Sequence, residues 1–548
     1  MTNEAGTPGR VAVIGNGPVG QTTALLLARW GIAVTLLDAR PERDLVGSKA
    51  ICQQRDVLDV WEAVGAGRRI ADEGLTWTTA RTFYQDRELF AYTLPDPGQS
   101  EFPPFVNISQ SRTEEILDER IAAERRIDVR WHHQVVGIRQ HAAGVGLRCA
   151  TPQGTTEVTA DYVVACAGAR SDGIRDDLDV SFGGHSFDDR FLICDIRAEL
   201  ARWAHERRFY FDPEWNPGRQ VLIHPCPGAV FRIDWQVPSD YDLAAEEASG
   251  ALDDRIRAII GARPYEIVWN SVYRFHSRVV DRMRVGRVLL AGDCAHLYAP
   301  FGARGLNSGV ADAENAAWKL AFVLRGWADE ELLESYHDER YAAAMENLAV
   351  TTATMDFLVP HTDEERRHRL NVLRRARDDS AAHPEVNSGR LSEPFWYADS
   401  PLTTADPSRP FAGRPARGTL PAAGPGILAP DVPITVDGRR IRFRELARDG
   451  FLLLAGDDVA GDMARAAAAA ATSAPVRLLP LAGIDPGGAL AEALAARPEG
   501  LWILRPDAHV AAVLTQPDRE AVVEAIRRAT GSDYARPAPW TLAKGVAQ

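Results

Sequence analysis

Apolar residues along the chain change their spacing from segment to segment, and this change predicts a mixed α/β fold. Val11–Ile14 is a short apolar run, which is typical of a buried strand. Three glycines follow, at Gly15, Gly17 and Gly20, and then comes a segment with helical spacing. A second apolar run closes at Asp38. The order of strand, tight turn, helix and strand predicts a βαβ-type unit.

The pattern differs in the later regions. Residues 181–275 alternate apolar and aromatic positions and are predicted to be mainly β, with a hairpin turn at Pro225–Gly228. Helical spacing dominates Asp312–Arg377, and the proline- and glycine-rich segment Asp399–Pro433 is interpreted as a linker. Strand and helix patterns return after it. They include the run Ala466–Ala471, predicted to be helical because alanine is the best helix former.

Composition and charge narrow the class of protein. The 548 residues suffice for about three domains, and the net charge of −14 argues against the basic surface that nucleic-acid binding requires. No apolar run is long enough to span a membrane, and the first residues lack the apolar core of a signal peptide. The six cysteines include no CxxC pair, and none follows Cys294, so neither a disulfide framework nor a metal site is predicted. We expect a cytoplasmic protein that binds neither nucleic acid nor membrane.

The first glycine-rich turn has the GxGxxG spacing of dinucleotide-binding proteins, with a strand before it and a helix after it. Glycines at Gly15, Gly17 and Gly20 let the backbone approach a pyrophosphate closely. The helix N-terminus, opened by Pro18, offers free N–H groups and a partial positive charge. Asp38 can accept hydrogen bonds from a ribose. The motif predicts a dinucleotide but does not choose between NAD and FAD.

A second stretch, RVLLAGDCAHLYAPFGARGLNSG, resembles the second FAD motif of the class A flavoprotein aromatic hydroxylases. The two distant motifs match that family in the expected order, and the resemblance covers most of residues 10–350. It implies that Asp293 binds the ribityl chain of FAD. It also implies that the loop Pro300–Asn307, which includes Gly305 and Leu306, lies against the isoalloxazine ring.

The composition of this loop has a physical reason under that resemblance. A reduced flavin carries negative charge near its N1 and O2 atoms. A helix N-terminus behind a flexible glycine turn places N–H donors there with no side chain in the way. We therefore expect Gly302, Gly305 and Gly309 to allow close approach of the flavin.

Smaller segments also resemble the family. Gln110 stands where a glutamine contacts the ribityl region, and Val135 lies in the strand whose backbone meets adenine. Lys49 stands where the family commonly has an arginine near the flavin and the nicotinamide, so the charge is kept but bidentate geometry is lost. Ala167 stands where the family has the aspartate of its DG motif, just before Gly168. This departure concerns the NAD(P)H contact more than FAD binding.

The resemblance implies an FAD-dependent monooxygenase. In the family, NADPH or NADH reduces FAD, and O2 adds at the flavin C4a. The resulting hydroperoxide hydroxylates an electron-rich aromatic ring. The expected substrate is a phenolic or fused aromatic small molecule, and a homodimer is a family-level expectation. Two alternatives stay open: a same-fold flavoprotein that performs epoxidation or Baeyer–Villiger oxidation, and a non-catalytic, FAD-holding redox sensor, which Lys49 and Ala167 motivate.

The β-rich region is expected to cover the outer face of the flavin and to contact the substrate. His224 and Arg232 flank the predicted hairpin, and Tyr273 precedes the second motif. Each is a candidate catalytic group that contacts a substrate hydroxyl, and a structural hydrogen bond is the other interpretation for each. An aromatic pocket and ordinary core packing are equally compatible with four further residues, Tyr210, Phe211, Phe231 and Trp235.

The resemblance also implies a domain organisation. The last unit resembles the thioredoxin-like C-terminal domain of the phenol-hydroxylase branch, but it contains no cysteine, so a structural or dimer-related role is expected there. The expected units are a Rossmann-type α/β FAD-binding domain (1–75, 105–180 and 276–345), an inserted, mainly β substrate-binding domain (76–104 and 181–275), a helical segment (346–400), a linker (401–433) and the thioredoxin-like α/β domain (434–548).

Overall fold

The computed structural model describes residues 9–44, 49–94, 96, 100–415, 419 and 421–534. Its strands are β1 (Arg10–Ile14), β2 (Ala33–Leu37), β3 (Cys52–Gln54), β4 (Leu75–Thr76), β5 (Thr79–Tyr84), β6 (Arg87–Thr93), β7 (Phe105–Asn107), β8 (Ile127–Arg130), β9 (Gln134–His141), β10 (Gly144–Thr151), β11 (Gly154–Ala160), β12 (Tyr162–Ala165), β13 (Phe182–Ala198), β14 (Glu206–Phe211), β15 (Gln220–Cys226), β16 (Val230–Val237), β17 (Tyr265–Val280), β18 (Arg284–Val285), β19 (Val288–Leu290), β20 (His296–Leu297), β21 (Pro433–Val436), β22 (Arg439–Arg442), β23 (Phe451–Ala455), β24 (Val476–Pro480), β25 (Leu501–Leu504) and β26 (Val510–Leu514). Its α-helices are α1 (Pro18–Arg29), α2 (Arg55–Glu62), α3 (Gly67–Glu73), α4 (Gln110–Ala122), α5 (Asp172–Asp177), α6 (Leu243–Ser249), α7 (Ala251–Ile260), α8 (Arg304–Leu324), α9 (Glu334–Leu358), α10 (Asp363–Asp378), α11 (Phe443–Leu446), α12 (Asp458–Ala471), α13 (Leu481–Ile484), α14 (Ala489–Leu494) and α15 (Arg519–Ala529).

A six-stranded sheet forms the core of the N-terminal region. Its order is β18-β19-β12-β1-β2-β8, and its strands run parallel except for the edge strand β18. Val11–Val13 of β1 are fully buried, as expected for a sheet covered on both faces. The predicted strand–turn–helix–strand unit is confirmed as β1, α1 and β2. Helix α1 packs against α8, so the two glycine-rich motifs meet at the carboxyl edge of this sheet.

An eight-stranded sheet, ordered β20-β17-β13-β16-β15-β14-β5-β6, forms the second layer. The predicted hairpin is confirmed, since β15 ends at Cys226 and β16 begins at Val230. The outer face of this sheet packs against α6 and α7. Its inner face carries Phe191 and Phe209 against residues of α9 and α10. The β-rich region of the sequence therefore forms one continuous sheet with two chemically different faces.

The C-terminal unit contains a four-stranded sheet with the order β24-β23-β25-β26. Strands β23 and β24 are parallel and joined by α12, and the remaining pairs are antiparallel. Helices α12 and α15 cover one face, and the β21–β22 hairpin with α13 and α14 lies on the other. This βαβ–ββα order is the topology expected of a thioredoxin-like domain. Residues 535–548 of the expected domain lie outside the described residues.

The segment interpreted as a linker is packed against the C-terminal sheet. Leu402, Ala429 and Val432 are buried, and the backbone N–H of Thr404 donates to the carbonyl of Ala511 at 2.8 Å. The domain boundaries expected from the sequence remain a proposal. Within the described ranges, none of the helices combines the length and apolar character that crossing a membrane requires.

Candidate cofactor and substrate site

The turn between β1 and α1 has one glycine position that the protein leaves open. A Cβ atom at Gly15 would lie 2.4 Å from the carbonyl oxygen of Cys166, and one at Gly20 would lie 1.8 Å from that of Gly15. A Cβ at Gly17 would meet nothing within 4 Å. Contacts inside the protein therefore require Gly15 and Gly20, whereas Gly17 borders space that a ligand can enter.

The groups beside Gly17 are hydrogen-bond donors without protein partners. Helix α1 begins at Pro18 with Gly17 as its N-cap, and no side chain caps it. The Nδ2 of Asn16 is buried and has no hydrogen-bond partner among the described residues. Free N–H groups at a helix N-terminus attract anions. This end of the site therefore suits a pyrophosphate.

The Asp38 carboxylate is already bound by protein groups. One oxygen accepts from the backbone N–H and Nε of Arg40, at 2.9 and 3.0 Å. The other accepts from the N–H of Asn16 and the Nη2 of Arg40, at 2.7 and 2.9 Å. Burial raises the pKa of this carboxyl, but the bonds from Arg40 and Asn16 outweigh it and lower the pKa overall. Ribose binding by Asp38 stays a prediction, and it requires the partly exposed Arg40 side chain to move aside.

Arg43 ties this turn to α4, and no sequence pattern marked it. Its Nη1 donates to the carbonyl oxygen of Asn16 at 2.6 Å and to Glu114 at 2.7 Å, and its Nε donates to Asp118 at 2.5 Å. Its side chain is buried. Arg43 thereby fixes the position of the carbonyl that precedes the open Gly17.

A buried ion cluster shapes the turn at Gly292 in the second motif. Asp312 accepts the N–H of Gly292 at 2.9 Å and the Nε2–H of His296 at 2.7 Å, and it accepts the Nε–H of Arg340 at 2.7 Å. Burial opposes ionisation of Asp312, but His296 and Arg340 outweigh it, so the pKa falls to about 2. Asp312, which the motif did not identify as important, is a charged anchor for the segment that carries Asp293.

Asp293 itself lines an open cleft. Its side chain is exposed to solvent, yet desolvation by the surrounding protein raises the pKa of its carboxyl. His296 and Lys49 offset this only in part. No hydrogen bond from the described residues reaches the carboxylate. Asp293 is therefore a hydrogen-bond acceptor left free for a ligand.

In the second motif, as in the first, some glycines are required by contacts inside the protein and one borders open space. A Cβ at Gly302 would lie 2.3 Å from the carbonyl oxygen of Arg390, and one at Gly309 would lie 2.6 Å from the Val19 side chain. A Cβ at Gly305 would meet nothing within 4 Å. Gly302 and Gly309 therefore serve contacts inside the protein, and close approach of the flavin at these two positions stays a prediction. Only Gly305 borders open space.

The start of α8 presents backbone donors to the same space. Ala303, its N-cap, has a left-handed backbone (φ 58°) and provides no side-chain cap. The Asn307 side chain accepts the N–H of Gln54 at 3.1 Å and donates to the carbonyl of Cys52 at 3.0 Å. Asn307 therefore joins α8 to β3 through its side chain. The uncapped N–H groups around Leu306 are the part of the loop left for a ligand.

Three further predicted residues lie around the cleft. Lys49 is exposed and close enough to Asp293 to lower the pKa of its carboxyl. Gln110 accepts the N–H of the residue after Lys49 at 3.1 Å. Val135 lies in β9, two residues after His133, whose backbone N–H donates to the carbonyl of Asp38. Lys49 and Gln110 therefore lie at one end of the site and Val135 at the other.

The segment that carries the Ala167 departure is joined to the second motif. Ser171 donates its hydroxyl to the carbonyl of Gly168 at 2.5 Å, and Arg175 donates to the carbonyl of Cys294 at 3.1 Å. Gly168 has a positive φ of 79° and open space around it. The turn is thus formed without an aspartate at position 167.

A row of charged side chains crosses the inner face of the large sheet. Asp195, Arg232 and His224 stand opposite one another on β13, β16 and β15, and Arg207 on β14 lies beside His224. Arg232 donates its Nε to Asp195 at 2.8 Å and its Nη1 to the carbonyl of Lys49 at 2.8 Å. The row therefore faces the segment that lines the cofactor cleft.

His224 and Arg232 differ in how they are bound. Arg232 is committed to Asp195, whereas the Nδ1 of His224 is buried and has no hydrogen-bond partner among the described residues. Burial, with Arg207 and Arg232 nearby, lowers the pKa of His224 well below its usual value. His224 is therefore a neutral imidazole with an unused nitrogen, whereas Arg232 is held by the Asp195 carboxylate.

Tyr273 does not join this row. It lies on β17 opposite Phe191 and packs into the aromatic cluster between the sheet and α9. Two strands separate β17 from the strand of His224, a distance of about 14 Å. For the four aromatic residues, the structure favours core packing: Phe211 lies in the same cluster as Tyr273, and Tyr210, Phe231 and Trp235 lie under α6 and α7.

Residues 386–392 connect the large sheet to the loop of the second motif. Arg207 donates to the carbonyl of Ser388 at 3.2 Å, and the N–H of Ser392 donates to the carbonyl of Gly302 at 2.6 Å. Arg304 donates to the carbonyl of Leu391 at 3.2 Å. No sequence pattern predicted this contact, because it joins segments far apart in the chain.

Residues 9–351 match the family described as FAD binding domain. A flavin-dependent monooxygenase of Mycobacteroides abscessus is 30% identical over 358 residues, which are 62% of this chain and 73% of that protein. A 3-(3-hydroxy-phenyl)propionate/3-hydroxycinnamic acid hydroxylase of Mycobacterium sp. (strain JLS) is 29% identical, over 62% of this chain and 59% of its own length. A para-nitrophenol 4-monooxygenase of Pseudomonas sp. (strain WBC-3) is 27% identical, over 63% of this chain and 86% of its own length.

Solved structures share the fold over nearly the whole chain. The flavin-dependent monooxygenase PieE, in complex with FAD and substrate, superposes with a TM-score of 0.82 at 22% identity and covers 95% of this chain and 99% of its own. Aklavinone-11 hydroxylase, in a complex with FAD and aklavinone, superposes with a TM-score of 0.77 at 24% identity and covers 97% of this chain and 100% of its own. The shared fold includes the C-terminal unit, which the family match does not reach.

Proposed function

Because the chain belongs to the FAD binding domain family and is a class A flavin-dependent monooxygenase, we propose that it hydroxylates a phenolic or fused aromatic small molecule with NADPH or NADH and O2. The observation that carries the proposal is the hydrogen bond from Arg232 to the carbonyl of Lys49, which joins the charged row to the cofactor cleft. The printed names of two relatives, a hydroxyphenylpropionate hydroxylase and a nitrophenol monooxygenase, support an aromatic substrate.

The residues present suit FAD in three ways. In the described part of the chain, Gly17 and Gly305 border open space, the N-termini of α1 and α8 carry no side-chain cap, and the Asp293 carboxylate has no protein hydrogen bond. We propose that the pyrophosphate lies at the start of α1 and the flavin lies at the start of α8. The residues proposed to hold FAD are Gly15, Gly17, Pro18, Gly20, Asp38, Lys49, Gln110, Val135, Asp293, Pro300, Gly305, Leu306 and Asn307.

When bound, FAD would supply electron transfer from the nicotinamide and activation of oxygen. The chain's own groups bind and orient the reactants. The N–H groups around Leu306 stabilise negative charge at the flavin, and Lys49 supplies a positive charge near Asp293. The buried row on the large sheet orients the substrate, with His224 as the contacting group and Arg232 holding the row against the cleft. Tyr273 would contact only a substrate long enough to reach β17.

The test is anaerobic reduction of the purified, FAD-loaded chain by NADPH and by NADH in a stopped-flow spectrometer. Mixing with ¹⁸O2 and a panel of phenols should follow. We expect reduction to be accelerated by a subset of the phenols, and mass spectrometry to find one ¹⁸O atom in the product. Reduction without oxygen incorporation into any aromatic compound would contradict hydroxylation. No reduction by either nicotinamide would favour the redox-sensor alternative. A cytoplasmic location and a homodimer stay predictions.

A further inference from the structure

We propose that Asp234 accepts the hydroxyl proton of the aromatic substrate, with His224 beside it as a second hydrogen-bonding group. This assignment rests on the proposed function and names the group within that site that recognises the substrate. Asp234 follows Arg232 by two residues on β16, so both side chains lie on the inner face of the sheet. Leu222 stands opposite Asp234, and His224 is the next inward residue on β15. Asp234 and His224 are therefore diagonal neighbours, within reach of each other's side chains.

Both groups have unused hydrogen-bonding atoms next to a satisfied ion pair. The Oδ1 of Asp234 and the Nδ1 of His224 are buried without partners among the described residues. By contrast, Arg232 and Asp195 form a bidentate pair at 2.8 and 3.1 Å. Unpaired buried polar atoms cost free energy in the folded protein, and a ligand hydroxyl relieves that cost. His224 belongs to the charged row and Asp234 lies beside it, on the face of the sheet that is joined to Lys49, so the ligand hydroxyl we infer is that of the substrate.

The electrostatic surroundings suit a proton acceptor that works near neutral pH. Burial raises the pKa of Asp234 to about 7, and Asp195 adds to this, while Arg232 and Arg207 work against it. His224 is neutral over the same range. A general base is most effective when its pKa lies near the working pH.

The step is a simple proton transfer. The O–H bond of the substrate phenol breaks, an O–H bond forms on the Asp234 carboxylate, and the phenolate oxygen keeps the electron pair. The ring becomes more electron-rich, which favours attack on an electrophilic oxygen. No further oxidant or reductant is needed for this step.

The same arrangement specifies a neutral hydroxyl as the recognised group. Arg232 is already paired with Asp195, and Arg207 donates to the carbonyl of Ser388, so both arginines near Asp234 already have protein partners. A carboxylate placed here would also face the Asp234 and Asp195 side chains and be repelled. We therefore expect the end of the substrate that enters this row to be an uncharged phenol.

The experiment measures binding of 2-naphthol and of naphthalene, which lacks the hydroxyl, to the FAD-loaded full chain by calorimetry from about pH 5.5 to 8.5. Simple phenols stay protonated over this range. We expect the preference for 2-naphthol to rise about tenfold as Asp234 ionises, because a hydrogen bond to a charged acceptor is the stronger one. Asp234→Asn should abolish the pH dependence, and Asp234→Glu should restore part of it. The matched control Asp188→Asn, at an exposed carboxylate on β13, should behave as the wild type.

The outcomes separate this assignment from the proposed function. If Asp234→Asn binds FAD normally and keeps the pH-dependent preference, the assignment of Asp234 is overturned. Equal binding of both compounds by the wild type overturns it as well, while leaving an aromatic site in place. If the wild type binds neither compound in the presence of FAD, both the assignment and the aromatic site of the proposed function are contradicted. Unchanged FAD absorbance and melting temperature of Asp234→Asn establish that it folds.

Discussion

The cofactor cleft and the junction with the C-terminal unit are both lined with charged residues, but these residues have different partners. At the junction, Asp59 of α2 accepts from Arg442 at 2.5 Å and from Arg448 at 2.7 Å. Glu339 of α9 accepts from Lys319 at 2.6 Å and from Arg505 at 3.0 Å. All of these side chains are buried, and each charge faces an opposite charge of the protein.

In the cleft, Asp38 is paired with Arg40, but other polar groups lack such partners. Asp293 has no hydrogen bond from the described residues, Asn16 has a buried unpaired amide nitrogen, and Gly17 and Gly305 border open space. A satisfied buried charge holds segments of the protein together, whereas an unsatisfied one at an open cleft is left for a ligand. The junction therefore stabilises the fold, whereas the cleft keeps unpaired groups for a ligand.

The largest effect should come from breaking the junction. Glu339→Ala leaves Lys319 as a buried charge without its carboxylate partner and leaves Arg505 with Asp507 alone, and we expect the free energy of unfolding to fall by about 3 kcal/mol. Urea titration of the full chain measures this. The control is Glu266→Ala, which removes the exposed pair with Arg197 and should cost less than about 1 kcal/mol. Similar losses for both variants would contradict the structural role of the junction.

The two kinds of glycine in the first turn should separate stability from binding. Gly20→Ala places a Cβ 1.8 Å from a backbone oxygen and should cost about 3 kcal/mol of stability. Gly17→Ala meets no protein atom and has an allowed φ of −92°, so its melting temperature without FAD should equal that of the wild type. Its FAD affinity, measured by fluorescence titration, should fall at least tenfold. Normal FAD binding by Gly17→Ala would disprove the pyrophosphate placement.

Replacing Asp312 or Asp293, both near the turn at Gly292, should change the melting temperature of the FAD-free chain in opposite directions. The lowered pKa of Asp312 stabilises the fold above about pH 4, the ordinary range of an aspartate, and this contribution is lost as the pH falls toward about 2. Asp312→Asn should therefore lower the melting temperature at pH 7 and flatten its acid dependence. The raised pKa of Asp293 makes its ionised form a cost without ligand, a cost relieved as the pH falls.

We accordingly expect Asp293→Asn to raise the melting temperature of the FAD-free chain slightly while weakening FAD binding. Differential scanning calorimetry with and without FAD checks both signs. If Asp293→Asn lowers the melting temperature of the FAD-free chain, Asp293 is a structural residue like Asp312.

The smallest effect should come from Lys49→Met. The side chain is exposed, so solvent screens its charge, and its loss should reduce FAD affinity only about twofold to threefold. The pKa of Asp293 should rise further, because Lys49 is one of two groups that lower it. The pH dependence of FAD binding measures this shift. An unchanged profile would show that Lys49 does not act on Asp293.

Local sequence patterns were sufficient to predict several helices and strands and to find the two glycine-rich motifs. The apolar run Val11–Ile14, the hairpin at Pro225–Gly228 and the helical alanine run lie where apolar spacing, turn residues and helix propensity predicted them, because each depends on neighbours in the chain. Local patterns could not distinguish Gly305 from Gly302 and Gly309. That difference depends on Arg390 and Val19, which belong to distant segments.

The amino-acid sequence alone determined the mixed α/β class, the order of the units and the resemblance that implied FAD. These follow from residue type and short-range spacing. Only the tertiary structure decided which charges are satisfied. Asp195, Arg232 and His224 come from three strands, and Asp59 and Glu339 meet arginines more than 150 residues away. Whether a buried charge holds the fold or awaits a ligand depends on these distant partners, because burial makes an unpaired charge costly and only a folded chain brings partners within reach.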